Sequence, residues 1–284
     1  MFSTPDGFDY AQAKLSVDKL IDPDLDRPMI ERELDAMEST VRKMLSTIPE
    51  TEAQKSIEKL RALKAFLYKE GHWNNSAPFK YDFDDPFGRD IRNKLLATYL
   101  ETRKGNCVSM PVLFLAIGER LGLDLTLSVA PLHVLVKYTD DQTAKTYNLE
   151  ATSGAGFTRD QWYRKKTPMS DAALENGVYL KPLSRQETLA VIATTVLEFL
   201  IEQRRYQEAI AVSDVLIEAY PDYVYAMVKK GTAYFHLLKD VQSQQTAKAV
   251  MRRSEASAKA NYYFLENQRA FAAAEDLGWI PPQN

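Results

Sequence analysis

Cysteine is almost absent from this 284-residue sequence, which contains a single one, Cys107. One cysteine excludes a framework of internal disulfides and fits a reducing compartment, so Cys107 is free to react as a thiol. Histidine is nearly as scarce, with His72, His133 and His236. If Cys107 uses an imidazole as its base, that imidazole must belong to one of these three histidines.

The sequence also lacks a strong charge of either sign and a long hydrophobic run. The formal net charge is -3 and the Lys and Arg residues are spread along the chain, so no basic patch is expected to bind nucleic acid. The amino terminus, MFSTPDGFDYAQAKL, has neither a basic leader nor an apolar stretch of signal-peptide length, and no segment is apolar over a bilayer's width. These absences predict a cytoplasmic protein that binds neither nucleic acid nor membranes.

What remains is the composition of a globular protein with two parts. Hydrophobic residues make up 45% and charged residues 26% of the chain, whose length exceeds that of a usual single domain. We expect a main α+β domain over residues 1–182 and an all-α helical unit over residues 183–284. Apolar residues at helical spacing predict two leading helices, at 28–48 and 52–69.

The residues around Cys107 predict a turn that leads into a buried helix. Residues 72–88 are rich in Pro, Asn, Asp and Gly and are expected to form a loop, and residues 92–100 a short helix. After the turn at 103–106 comes VSMPVLFLAIGERLG, which is apolar on nearly every side, as in a helix inside a domain. Cys107 would lie at its start, where a helix N-terminus and a neighbouring imidazolium favour the nucleophilic thiolate. Taken alone, a buried free cysteine is more often a small hydrophobic residue.

The periodicity then changes to that of β-strands, in LDLTLSVA, LHVLVKYT and KTYNLEAT, and the last two should form an antiparallel hairpin. His133 and Glu150 are equidistant from the midpoint between residues 141 and 142. A symmetric two- or four-residue connection centred there would place them directly opposite each other, with Cβ atoms ~4.5–5.5 Å apart. A connection with an odd number of residues would put them on opposite faces.

A carboxylate beside an imidazole can hold one tautomer and stabilise the charged ring, which is the role of the third member of a catalytic triad. Each residue also has a structural reading, His133 as a core histidine and Glu150 as a solvated edge charge. A metal site is the weaker alternative, since structural zinc needs four ligands and no CxxC or HxxxH is present. Residues 152–166 are expected to form a loop at the cleft, with Trp162 at its rim or in the core.

From Leu183 onward the pattern is helical. RRYQEAIAVSDVLIEAYPDYVYAMVKKGTAYFHLLKD resembles the tetratricopeptide signature, with a turn at residues 220–222 between two helices. Ala209, Gly231 and Ala233 are expected to line the contact between these helices over residues 201–239. Residues 240–277 match the signature poorly, so we expect a short helical array.

Three segments, KGNCVSMPVLFLAIGERLGL, APLHVLVKY and YNLEATSGAG, resemble the transglutaminase-like superfamily, which is related to papain-type peptidases. Within it they look like a bacterial branch whose core is followed by tetratricopeptide repeats. The resemblance covers roughly residues 8–240, and residues 103–156 are its specific part. It implies an α+β papain-like core with leading helices, followed by an all-α tetratricopeptide-like unit.

The resemblance also implies roles for individual residues. Cys107 becomes the nucleophile, His133 the general base and acid, and Glu150 the orienting carboxylate. The sequence departs from the family pattern in two places, since the third member is usually Asp and an aromatic residue often follows the cysteine, where Val108 stands here. Several bacterial relatives of this branch lack the cysteine, so the fold alone does not establish activity.

The expected function is cysteine-dependent acyl transfer, either hydrolysis of an amide or ester or transglutaminase-like transamidation, with no cofactor or metal and with a protein or peptide as substrate or partner. The backbone N–H of Cys107 and the side-chain amide of Asn106 are the nearest oxyanion donors, ahead of Asn93 and Asn74. Asn106 is equally suited to a turn that caps the helix. The competing expectation is a non-catalytic scaffold whose helical repeats recruit a partner.

Overall fold

The computed structural model describes residue 7, residues 9–245 and residues 253–281. The other residues, at both termini and in the predicted helical region, lie outside the described part of the chain. The chain divides into two compact units. The first runs up to Pro168 and includes Tyr179–Ile192, and the second comprises Met169–Val178 and the residues from Ala193 onward.

Four helices lead the first unit. The predicted helix at 28–48 is confirmed, whereas the one predicted at 52–69 is two separate helices. Their bounds are α1 (Tyr10–Ile21), α2 (Arg27–Leu45), α3 (Glu50–Ala53) and α4 (Ser56–Tyr68). The side chain of Asp26 starts α2 by accepting the Met29 N–H at 2.9 Å, which satisfies an otherwise unpaired donor of the first turn. The apolar face of these helices is buried through residues such as Leu34 and Leu63.

The segment between α4 and Cys107 has little regular structure. Residues 72–88, predicted as a loop, contain a 3-10 turn (His72–Asn74) and the two-residue strand β1 (Lys80–Tyr81). A second 3-10 turn (Ile91–Lys94) and α5 (Leu96–Thr102) occupy the position of the helix predicted at 92–100. Strand β2 (Lys104–Gly105) pairs in parallel with β1. This pairing fixes the backbone immediately before Cys107.

The predicted buried helix is α6 (Ser109–Arg120). Every residue from Ser109 to Gly118 is buried, which explains why its sequence is apolar on all sides. Gly118 allows a close approach to the sheet, because a Cβ at this position would lie 2.1 Å from Leu125 Cδ1. The helix that follows Cys107 is therefore held inside the unit.

A four-stranded antiparallel sheet packs in the same unit, with strand order β3-β4-β5-β6. The strands are β3 (Asp124–Ala130), β4 (His133–Thr139), β5 (Thr146–Glu150) and β6 (Gly156–Thr158). The predicted hairpin between the second and third of these is confirmed. One face carries apolar residues such as Leu127 and Val136 into the core.

The predicted register of that hairpin is wrong by two residues. Thr139 pairs with Thr146, so the connection comprises residues 140–145 and its centre lies between 142 and 143. Val136 pairs with Leu149, and the same register places Glu150 opposite residue 135. His133 and Glu150 are thus diagonal neighbours. They still share a face of the sheet, because the shift is an even number of residues.

Residues 152–166, predicted as a loop, are more ordered than expected. They contain the end of a 3-10 turn (Ala151–Ser153), strand β6 and helix α7 (Asp160–Lys166). The glycines of TSGAG are the reason for the wrong prediction. Gly154 adopts a φ of 77° and serves a tight turn, after which Gly156 pairs with Glu150 as the first residue of β6.

The carboxyl-terminal region is helical as predicted, in its described part. Its helices are α8 (Asp171–Glu175), α9 (Arg185–Glu202), α10 (Tyr206–Ala219), α11 (Val224–Gln245) and α12 (Arg253–Asp276). Within residues 9–245 and 253–281, no helix has the length and apolar character needed to span a membrane. The assignment of these helices to tetratricopeptide repeats stays a prediction.

The predicted contact between α10 and α11 needs one correction. Ala209 and Ala233 are fully buried, but Gly231 faces α12. A Cβ on Gly231 would lie 2.8 Å from Phe271 Cε2, and the Gly231 carbonyl accepts a hydrogen bond from Asn267 Nδ2 at 2.8 Å. The small residue therefore serves the packing of α11 against α12.

Gly231→Leu should lower the free energy of unfolding by on the order of 1–3 kcal/mol, because the new side chain overpacks the contact with Phe271. Urea denaturation measures the change. The same substitution in a Phe271→Ala background should cost clearly less, since the ring that it strikes is gone. An equal loss in both backgrounds would show that Gly231 does not pack on Phe271.

Candidate active site

Cys107 lies between β2 and α6, two residues before the helix begins. It is a free thiol of intermediate exposure, and its Sγ lies 3.9 Å from the carbonyl oxygen of Leu132 in the β3–β4 turn. The Asp82 N–H donates to the Gly105 carbonyl at 2.7 Å and fixes the chain just before the cysteine. Cys107 is therefore held by backbone contacts on one side and by the start of a buried helix on the other.

Asn106 is buried and its side chain is fully engaged in local structure. Its Oδ1 accepts the backbone N–H groups of Val108 at 2.9 Å and Ser109 at 3.2 Å, while its Nδ2 donates to the Asn93 carbonyl at 3.0 Å. These contacts match the alternative of a residue that caps the helix start. Its role as an oxyanion donor stays a prediction.

The structure brings His133 and Glu150 into direct contact. His133 Nε2 lies 2.8 Å from Glu150 Oε2, and the two side chains are only 17% and 3% exposed. His133 is the first residue of β4 and Glu150 the last of β5, so both lie at the same end of the hairpin. The two residues are diagonal neighbours on the sheet, and the glutamate side chain is long enough to span the distance between them.

The thiol lies beside the same residue, because Cys107 Sγ is 3.9 Å from the carbonyl oxygen of Leu132, which directly precedes His133. Nε2 of His133 is bonded to Glu150, so Nδ1 is the ring nitrogen left for the thiol. The arrangement of the three residues as a catalytic triad stays a prediction.

Glu150 uses both carboxylate oxygens. Oε1 accepts the backbone N–H of Thr152 at 3.1 Å and its hydroxyl at 2.6 Å. Oε2 accepts the hydroxyl of Tyr163 at 3.0 Å in addition to His133. Each oxygen therefore has two partners, which fixes the orientation of the carboxylate and satisfies it in a buried setting.

The protonation states follow from burial and from these bonds. Burial lowers the pKa of His133, but the interactions of the ring with Cys107 and Glu150, including their negative charges, outweigh it and raise this pKa to about 9. Burial raises the pKa of Glu150, but the contacts with His133 and Thr152 bring it below its ordinary value. Glu150 is accordingly a carboxylate and His133 an imidazolium near neutral pH.

Tyr163 and Thr152 are site residues that the sequence analysis missed. Burial and the charge of Glu150 raise the pKa of Tyr163, so its hydroxyl stays protonated and donates to the carboxylate. A hydroxyl residue two positions after an acid is a weak signal for Thr152. Tyr163 carried no signal, because its position depends on α7, which was predicted as loop.

Trp162, which the sequence placed at the rim of the site or in the core, and Asn148 lie near this centre. Trp162 is 41% exposed and stacks edge-on against Tyr163 with ring centroids 4.9 Å apart, so it lies nearer the rim than the core. Asn148 shares the face that carries Glu150, but its Nδ2 donates to Asp160 Oδ1 at 2.6 Å. Among the residues that the structure describes, no group of three or more His, Cys, Asp and Glu side chains could hold a metal ion.

Comparison with known proteins identifies a family for most of the first unit. The family described as "Transglutaminase-like superfamily" matches residues 29–193, which is more than half of the chain and includes all three residues. The chain is 26% identical over 195 residues to the UPF0162 protein BU173 of Buchnera aphidicola subsp. Acyrthosiphon pisum (strain APS), a match that covers 66% of each protein. No solved structure gives a significant match.

Glu150→Asp should lower the pKa of His133 from about 9 toward its ordinary value of ~6.5, because the shorter side chain cannot cross the diagonal to Nε2. NMR titration of histidine ring signals measures this pKa, and loss of a signal in His133→Gln identifies the residue. Glu218→Asp, at an exposed position of α10, is the matched control. An unchanged pKa in Glu150→Asp would refute the argument from side-chain length.

The raised pKa of His133 also predicts a dependence of stability on pH. Because the folded-state pKa lies above the unfolded value of ~6.5, the protonated ring stabilises the fold fully below that pH, and its contribution is lost as the pH rises through about 9. Urea denaturation across this window should show a decline in the free energy of unfolding. The decline should be smaller in Glu150→Gln, and an identical decline in both proteins would contradict the assignment.

Proposed function

Since the chain belongs to the transglutaminase-like superfamily, we propose that it is a cysteine-dependent acyl-transfer enzyme in which Cys107, His133 and Glu150 form the catalytic triad. The contact between His133 Nε2 and Glu150 Oε2 at 2.8 Å is the observation that carries this proposal. A lone buried histidine would not need a buried carboxylate with four hydrogen-bond donors. A general base that must become and remain charged next to a thiol does need one.

The resting state is an ion pair between the Cys107 thiolate and the His133 imidazolium. The charged ring favours the thiolate, and the position of Cys107 just before the N-terminus of α6 adds a favourable dipole. Glu150 stabilises the imidazolium and fixes the ring so that Nδ1 faces the sulfur.

Acylation begins with attack of the thiolate on an amide or ester carbonyl. The S–C bond forms, the carbonyl electrons move to oxygen, and the backbone N–H of Cys107 is the nearest donor for that oxyanion. The C–N or C–O bond then breaks, and the His133 imidazolium gives its proton to the leaving group. The product is a Cys107 thioester. Water or an amine, deprotonated by His133, then forms a C–O or C–N bond to the acyl carbon as hydrolysis or transamidation. The C–S bond breaks, and the Cys107 thiolate and the His133 imidazolium are restored.

The substrate class follows from the second unit. Its described helices α10, α11 and α12 pack successively through small residues such as Ala209 and Gly231, which is how tetratricopeptide-like units build surfaces for protein or peptide partners. A protein or peptide is therefore the proposed acyl donor. A cytoplasmic location fits a catalytic thiol that must stay reduced.

The triad is tested by two reactions of Cys107, alkylation by iodoacetamide and acetylation by p-nitrophenyl acetate. Wild-type protein should be alkylated faster than glutathione at about pH 6, because its thiolate is held by the imidazolium. The ester should give a burst of p-nitrophenolate and an acetylated Cys107 detected by mass spectrometry. Cys107→Ser should abolish the burst, and His133→Ala should reduce both reactions strongly.

Glu150→Gln is the sharper variant, because it keeps the shape but removes the charge that stabilises the imidazolium. Its reactivity should fall on the order of tenfold to a thousandfold, less than in His133→Ala. Glu218→Gln is the control and should react like wild type. If Cys107 reacted no faster than glutathione and Glu150→Gln changed nothing, the enzyme proposal would fail. A non-catalytic scaffold with this fold would then be the better description.

A further inference from the structure

Leu132 occupies an unusual position beside the proposed nucleophile. Ala130 pairs with His133, so Pro131 and Leu132 alone form the turn between β3 and β4. Leu132 has a φ of 56°, in the left-handed region that glycine or asparagine adopts at lower cost. A proline at the first turn position and a positive φ at the second are the marks of a type II turn, in which leucine is unfavourable.

Burial does not explain the leucine. Its side chain is 60% exposed, so the folded chain recovers little hydrophobic free energy for the strained backbone. Its carbonyl oxygen lies 3.9 Å from Cys107 Sγ, and the next residue is His133. Strained residues of this kind concentrate at sites that contact ligands.

Exposed aromatic residues lie on both flanks of the same site. Phe83 is 85% exposed and packs on Tyr81 with ring centroids 5.2 Å apart. Tyr81 lies close to the thiol, since it pairs with Gly105 between β1 and β2, two residues before Cys107. On the other flank, Trp162 packs on Tyr163, whose ring centroid is 5.9 Å from that of His133.

Three carboxylates of the loop that carries Phe83 have partners. Asp84 pairs with Lys104 at 2.9 Å and Asp90 with Arg92 at 2.6 Å. Asp85 accepts the backbone N–H of Arg89 at 2.7 Å. The phenyl ring of Phe83, in contrast, is left exposed.

We propose that the acyl donor carries a bulky apolar group next to its reacting carbonyl and that Leu132 and Phe83 contact this group. The reason is geometric, because a carbonyl carbon in position for attack lies ~3–3.5 Å from Cys107 Sγ and hence beside Leu132. A substituent on that carbon would cover the exposed leucine and reach toward Phe83. This inference rests on the proposed function and names its substrate class.

The test compares three reagents that share the iodoacetyl group. Iodoacetamide is unsubstituted, N-phenethyl-iodoacetamide carries an apolar group and N-iodoacetylglycine carries an anionic group. Each alkylation rate of Cys107 is divided by the rate of the same reagent with glutathione. The phenethyl reagent should react at least about tenfold faster than iodoacetamide on this scale, and with saturation. N-iodoacetylglycine should show no acceleration over iodoacetamide.

Two variants assign the preference to the named residues. Leu132→Asn, which suits the left-handed backbone, and Phe83→Ser, at an exposed position, should each lower the phenethyl-to-iodoacetamide ratio at least about threefold. Leu132→Asn should also unfold at no lower urea concentration than wild type. Leu20→Asn removes an equally exposed leucine from α1 and should keep the wild-type ratio.

A wild-type ratio near one, or a ratio that survives in both Leu132→Asn and Phe83→Ser, would overturn the inference. Failure of the proposed function has a different signature. In that case iodoacetamide itself would react with Cys107 no faster than with glutathione at about pH 6. Acceleration of iodoacetamide without a preference for the phenethyl group would leave the triad standing and refute the apolar substrate class.

Discussion

The site depends on keeping the carboxylate of Glu150 ionised inside the protein. Removing such a group from water costs several kcal/mol, and this cost is offset only where the charge is paired and its lone pairs are satisfied. Thr152 supplies two donors to one oxygen, and Tyr163 and His133 supply one each to the other. If any of these donors were lost, the buried charge would weaken the fold as well as the site. The 3-10 turn after β5 and helix α7 are therefore parts of the site, because each places one of the donors.

The three residues of the proposed triad lie at or near the ends of strands. β4 begins at His133, β5 ends at Glu150, and β2 ends two residues before Cys107. A side chain at the end of a strand has its backbone fixed on one side and space for a ligand on the other, which suits a group that must be both oriented and accessible. Leu132 extends this arrangement, since its turn connects two strands of the core, its carbonyl oxygen lies beside the thiol and its side chain remains exposed.

The sequence predicted helix α2, the buried helix α6 and the hairpin of β4 and β5, because these depend on local periodicity. It also singled out His133 and Glu150, which the structure brings into contact. It could not predict the partners of Glu150. Tyr163 donates to the carboxylate from helix α7, which was not predicted because the glycine-rich segment before it indicated a loop. Gly156 pairs with Glu150 in the sheet, and no local sequence pattern specifies this pairing. The same limit applies to Gly231, whose small size predicted a helix contact correctly but could not indicate which neighbouring helix it meets.

The register of the hairpin explains why a glutamate, Glu150, stands where the family usually has an aspartate. With residues 140–145 as the connection, the carboxylate residue is displaced by two positions from the residue opposite His133. Diagonal neighbours on a sheet are ~7–8 Å apart, whereas directly opposed residues are ~4.5–5.5 Å apart, so a longer side chain is needed to reach the ring. The extra methylene of Glu150 supplies that length, and the 2.8 Å contact is the result. The length of the turn and the length of the acid are consequently coupled, and a change in either would require a change in the other for the imidazole to remain held.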